Sequence, residues 1–239
     1  MRLLVLQHHP EEHPGIFRRF LEEDGVAWDA VELDAGEAIP SLEGYDVLWS
    51  FGGPMDVWQE EAHPWLAREK AVIREAVVER GLPFLGVCLG HQLLAEALGG
   101  RVGPAPAEVG VMAVAPTAEG RNDPVIAMEG EIAALQWHSA GVLELPPGGV
   151  ALARSPLCPV QALRWGERAY GIQYHTEVTE ATVPTWGCIP EYKAALEKTL
   201  GPDALAAFEA EVARELPAFN ESARRLYRGF MALAKETTA

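Results

Sequence analysis

"LPFLGVCLGHQLLAEALGG", residues 82–100, changes its hydrophobic period halfway along. "LPFLGV" is a short apolar run of the kind that makes a buried strand. Leu93, Leu94, Ala97 and Leu98 then recur at helical spacing until Gly99-Gly100 stops them. The changeover falls in "GVCLGHQ", Gly86–Gln92, which sets Cys88 between two glycines. A cysteine that only packs needs no such setting, because it behaves as a small hydrophobe. A cysteine that reacts does need it: the thiolate is the nucleophile, and a helix N-terminus stabilises it. A strand-to-helix turn also lifts the side chain above the sheet edge, and glycines permit the tight backbone. The amide of Leu89 then points into the same space and can donate to an oxyanion.

Outward from this turn, "RLLVLQ" (Arg2–Gln7), "AWDAVEL" (Ala27–Leu33) and "YDVLWSF" (Tyr45–Phe51) read as further strands. "HPWLAREKAVIREAVVERG" (His63–Gly81) reads as a helix with a broad apolar stripe. Strands alternating with helices predict an α/β fold, a flavodoxin-like open and mostly parallel sheet with helices on both faces. From Arg101 to Tyr174 the texture shifts to short strand-like segments and Pro/Gly turns. After Pro190 the helical period returns: Leu205, Phe208, Val212 and Leu216 share one face, and Phe219, Leu226, Tyr227 and Phe230 share another beyond Pro217. The expectation is one domain over residues 1–239, with a core of about 1–180 and a C-terminal extension of about 190–235 ending in two amphipathic helices.

Composition narrows the function. The formal net charge of −16 argues against nucleic acid, whose phosphates call for Lys and Arg, and against anionic membrane surfaces. No apolar run nears the roughly 20 residues of a membrane span. The apolar stretch in "MRLLVLQHHP" is too short for a signal peptide and reads as a first strand, so a cytoplasmic protein is expected. The three cysteines, Cys88, Cys158 and Cys188, form no CxxC pair, which disfavours a disulfide framework or zinc ribbon. Cys158 and Cys188 read as inert. His8, His9 and His13 sit beside Glu11 and Glu12 but lack the helical spacing of a zinc protease, and the segment reads as a solvated loop. No metal and no cofactor are expected.

Two further stretches bear on Cys88. "YGIQYHTEV" places His175 at a strand end with Glu177 two residues on. Residues two apart in extended chain project to one side, so Glu177 can accept from one ring nitrogen while the other faces Cys88. That is nucleophile, base and orienter; the plainer alternative is a hydrogen-bonded structural histidine. "SFGGPMDVW" puts Gly52-Gly53-Pro54 just past a strand, at the carboxyl edge where open α/β sheets bind ligands. A donor from this loop beside the Leu89 amide would complete an oxyanion hole.

"FGGPM", "GVCLGHQ", "EVG" (Glu108–Gly110) and "GIQYHTE" together make residues 45–177 resemble the class I glutamine amidotransferase domain with its Cys-His-Glu triad. The opening and "GGPMDVWQEEAHPW" resemble the free-standing, GMP-synthase-like members. The resemblance implies Cys88 as nucleophile, His175 as general base and acid, and Glu177 as its partner. It also implies Gly53 and Leu89 as oxyanion donors, with Gly52 and Gln92 helping to hold the glutamyl group. Trp137 and His138 of "LQWHSAGV" either line the pocket or pack. The chain departs from the family at Thr176, where a proline is usual, and at Ser139-Ala140, where relatives often carry an acid. The expected activity is hydrolysis of a γ-glutamyl amide through a thioester. One version is a glutaminase passing ammonia to a separate synthetase, since no P-loop is present. Another is a self-sufficient γ-glutamyl peptidase, which Ala140 and the long C-terminal extension favour. A non-catalytic thiol sensor or chaperone is the alternative of another class, disfavoured by the oriented His175. The partner expected is a small γ-glutamyl substrate; the oligomeric state is not legible.

Overall fold

The computed structural model describes residues 1–237. Its elements run β1 (Arg2–Gln7), α1 (Phe17–Glu23), β2 (Ala27–Glu32), β3 (Val47–Ser50) and α2 (Trp65–Arg74), whose last turn widens to a π-helical turn at Glu75–Glu79. Next come β4 (Phe84–Val87), α3 (Leu89–Ala97), β5 (Arg101–Pro116), α4 (Ala118–Asn122), β6 (Ile132–Glu144) and β7 (Gly149–Arg154). The chain continues through β8 (Ala162–Trp165), β9 (Ala169–Ile172), α5 (Thr182–Trp186), α6 (Pro190–Leu200) and α7 (Leu205–Thr237).

The nine strands among the described residues join one sheet in the order β2-β1-β3-β4-β9-β8-β7-β5-β6. The strands from β2 to β9 pair parallel, and the strands beyond β9 pair antiparallel. The α/β reading thus holds, with the parallel half containing the Cys88 turn. Every residue of β3 and β4 is buried, as expected of central strands covered on both faces. One face packs Leu66, Val72, Ile73, Leu93 and Leu94 of α2 and α3 against Leu4, Leu6, Leu48 and Phe84. The other packs Phe17 and Phe20 of α1 and Tyr227 and Phe230 of α7 against Val5, Trp49 and Leu85.

The C-terminal region departs from expectation. Residues 205–237 form one continuous helix of 33 residues with Pro217 inside it, where a break at Pro217 was predicted. An interior proline costs about 3 kcal/mol, so the packing on either side must outweigh it. Phe208, Val212 and Phe219 pack with Trp137, Trp186 and Tyr192 in a third cluster, while Ala223, Leu226, Phe230 and Met231 lie on the sheet. Both halves of α7 are therefore anchored.

Candidate active site

Four loops leave the carboxyl ends of four neighbouring strands: His8 after β1, Gly52-Gly53 after β3, Cys88 after β4 and His175 after β9. Their convergence is dictated by the parallel pairing, because parallel strands end on one side.

Cys88 is the residue between β4 and α3, with φ 52° and ψ −103°, one of two non-glycine residues with positive φ among those described. Such a conformation costs on the order of 1–3 kcal/mol and persists only where the surroundings over-determine it. The surroundings do so here. The Cys88 amide donates to Ile172 O at 2.8 Å, and the Gly90 amide donates to Phe51 O at 3.1 Å. A Cβ at Gly90 would lie 2.1 Å from Ser50 O, and one at Gly86 would lie 2.4 Å from the Gly90 carbonyl. The glycines flank Cys88 because helix and sheet backbones touch there.

His175 is fully buried, and its backbone bridges to Leu135 of β6. Its Nδ1 donates to Glu177 Oε1 at 2.6 Å, while Glu177 Oε2 accepts from the Thr176 amide at 3.0 Å. Trp186 stands edge-on to the imidazole at 4.7 Å. Burial opposes a charge on His175, but Glu177 and then Cys88 outweigh it and raise its proton affinity well above the ordinary histidine value. Nε2, the nitrogen left over, is buried and makes no hydrogen bond of full bonding geometry among the described residues. Such contacts commonly tighten only when substrate is bound.

A cavity of about 270 Å³ opens beside Cys88, lined by Gly53, Leu89, Gln92, Trp137, His138 and Tyr192 among others. Six of the residues expected from the sequence thus line one cavity: Gly53, Cys88, Leu89 and Gln92, together with Trp137 and His138, which both line it and pack. Trp137 belongs to the third cluster and donates through Nε1 to Tyr192 O at 3.1 Å. His138 Nδ1 donates to Ala140 O at 2.9 Å, and its Nε2 lies 3.1 Å from Glu108 Oε2. Gln92 donates to Gln173 Oε1 at 3.0 Å and to Ala140 O at 3.3 Å. Of the other expected residues, His175 and Glu177 are not among those lining the cavity, and neither is Gly52. Its carbonyl accepts from His8 Nδ1 at 2.9 Å, and the space for a side chain is filled by the Glu12 carboxylate.

Three functional-looking residues escaped the sequence. Gln173 donates through Nε2 to Cys88 Sγ at 3.5 Å. The alternation that selected His175 and Glu177 also puts Gln173 on their side, and that signal was available. His8 and Glu12 were read as solvated, yet both are buried. His8 Nε2 pairs with Glu69 Oε2 at 2.9 Å, and Glu69 also accepts from Ser50 Oγ at 2.8 Å. Those partners are 61 and 19 residues distant in the chain, so no local pattern announces them.

Glu108, His138 and Cys158 bring ligand atoms within 4.8 Å of one another. Glu108 already accepts from Ser155 and Gln161, and burial pushes the Cys158 thiol up to about 12. A metal needs a thiolate there, so the donor chemistry fits a hydrogen-bonded cluster better than an ion site.

A family model described as "Glutamine amidotransferase class-I" matches residues 16–183. The glutamine amidotransferase-like protein YfeJ of Salmonella typhimurium is 34% identical over 191 residues, which cover 77% of this chain and 78% of that protein. The glutamine-hydrolysing GMP synthase of Aeropyrum pernix is 39% identical over 174 residues, 70% of this chain but only 31% of the synthase. Among solved structures, a glutamine amidotransferase from Thermotoga maritima superposes with a TM-score of 0.85 at 27% identity, over 98% of both chains.

Proposed function

The chain belongs to the class I glutamine amidotransferase family, and from that membership we propose that it hydrolyses a γ-glutamyl amide with Cys88, His175 and Glu177 as its triad. The observation that carries the proposal is the strained Cys88 at a helix N-terminus, beside a histidine whose other nitrogen is bonded to Glu177. Cys88 gives its proton to His175 Nε2 and attacks the γ-carbonyl carbon. The oxyanion is met by the amides of Leu89 and Gly53, and each such donor is worth about a hundredfold to a thousandfold in rate. The imidazolium then protonates the leaving nitrogen as the C–N bond breaks, which leaves a γ-glutamyl thioester. Water, relieved of a proton by His175, attacks the thioester, and glutamate departs as the thiol is restored. Glu177 holds the imidazole in one tautomer throughout.

The cavity bears on the substrate. Asp56 and Glu191 line it, and no Lys or Arg does. They can receive the α-ammonium group that Ala140 cannot. At about 270 Å³ the cavity sits at the small end of ligand pockets, which suits a γ-glutamyl amide or dipeptide. Residues of α6 (Glu191, Tyr192 and Ala195) form one wall. The chain itself therefore covers an edge of the site, which favours hydrolysis without a second protein. A glutaminase feeding a synthetase is the second reading, favoured by relatives that include separate GMP synthase A subunits.

Glutamate release by the purified protein from glutamine and from γ-glutamyl dipeptides, with Cys88→Ala as blank, tests the proposal. Release above blank is expected without ATP. Release that appears only when a synthetase is added would favour the second reading. Glu177→Gln should lower kcat about ten- to a hundredfold, the worth of one charge-assisted hydrogen bond. Unchanged turnover in that variant would remove Glu177 from the site.

A further inference from the structure

Several buried acids take no part in the chemistry above, and one of them lies against the site. Glu12, in the "HHPEEHPG" segment (His8–Gly15), is 2% exposed. The groups that act on its carboxyl are His175 and Glu177 past β9, Tyr192 in the first turn of α6, and His8 past β1. Tyr192 Oη donates to Oε1. Oε2 lies over Gly52 so closely that a Cβ there would come within 2.3 Å of it. The β3 loop thus contributes backbone and no charge. Glu12 thus has one phenol as its side-chain hydrogen-bond donor, and the ring of that tyrosine packs on Trp186, which stands edge-on to His175.

A buried carboxyl with so little compensation is costly in the resting state. It gains most when a cation forms next to it, and in the proposed reaction His175 becomes that cation twice. We propose that Glu12 is a positioning residue of this site: a second carboxylate that stabilises the His175 imidazolium and ties it, through Tyr192, to the wall of the substrate cavity. The inference rests on His175 as the proton carrier. Glu177 secures Nδ1 and the tautomer, while Glu12 contributes charge from another direction. Tyr192 is also the link to substrate, because it lines the cavity while its hydroxyl holds Glu12.

The pH dependence has a definite sign. Burial raises the Glu12 pKa to about 7, with His175 first among the groups opposing the shift. Below that value Glu12 is neutral and gives the imidazolium little; above it the carboxylate is present. Burial alone would lower the proton affinity of His8, but Glu69 outweighs it, so a positive His8 supports the ionised Glu12 over part of this range. kcat should therefore rise as pH passes through about 7.

The test compares wild type, Glu12→Gln and Tyr192→Phe over roughly pH 5.5 to 9. A γ-glutamyl anilide reports kcat and KM, NMR of labelled histidine reports the His175 titration, and Tm reports folding. Glu12→Gln should lower kcat about tenfold above pH 7, keep KM within about twofold, and remove the rise near pH 7. Its His175 should also titrate at lower pH than in wild type. Tyr192→Phe, which keeps the ring but loses the donor, should move the rise to higher pH. The inference is overturned if Glu12→Gln folds and leaves the kcat profile and the His175 titration unchanged. Should Glu12→Gln not fold, an unmoved profile in Tyr192→Phe overturns it instead. If wild type cleaves no γ-glutamyl compound, the proposed function fails, while the His175 titration still decides the role of Glu12.

Discussion

Gly90→Ala is the sharpest perturbation of the Cys88 turn, because it adds one methyl group where two backbones meet. The new Cβ would lie 2.1 Å from Ser50 O and 2.6 Å from Ser50 C. Ordinary contact begins near 3.4 Å, so helix and strand must part by about 1.3 Å. A rotation of the Ser50 side chain cannot relieve this, since the two nearest atoms struck belong to the β3 backbone. Two consequences follow from that one displacement. Overpacking of this kind costs about 1–3 kcal/mol, which for a chain of this size lowers Tm by about 2–12 °C. The first turn of α3 also carries the Leu89 amide and Cys88 with it, and a misplacement of about 1 Å costs on the order of a hundredfold in rate. Gly130→Ala is the control, because nothing lies within 4 Å of a Cβ there. Anilide turnover and thermal unfolding of both variants are the assays. Gly90→Ala should be folded and about a hundredfold slower, with Gly130→Ala within error of wild type in rate. A Gly90→Ala protein with full activity and unchanged Tm would refute the claim that backbone contact holds the turn.

Two predictions concern other residues. Iodoacetamide at pH 8 should abolish activity in step with labelling of Cys88, while Cys188, which was read as inert but is exposed, takes up label without loss of activity, and Cys158, its thiol pushed up to about 12 by burial, stays unlabelled until the protein is denatured; labelling of native Cys158 would contradict this. The buried His8–Glu69 pair holds the His8 pKa above 6.5, so its stabilisation is complete below that pH and is lost as pH rises through the raised value. His8→Gln should therefore lower Tm most on the acid side, and a constant Tm difference over roughly pH 5 to 9 would count against the pair.

What the sequence determined by itself is local. Strand and helix announced themselves by period, and Cys88 by the glycines a strand-to-helix contact requires. His175 and Glu177 were legible because two-residue alternation puts them on one side of extended chain. Distant partners decided the rest. Pro217 lies inside a helix because both halves of α7 find apolar surface, the first beside Trp137 and Trp186 and the second on the sheet. "HHPEEHPG" looked solvated because its composition is polar. Burial instead places His8 against Glu69 and Glu12 against Tyr192, 180 residues along the chain from Glu12. A buried charge is tolerable only with its partner in place. Partners that far apart in the chain meet only when β1, α2 and α6 have packed round the same sheet edge, so tertiary structure alone could turn a polar loop into the back wall of the site.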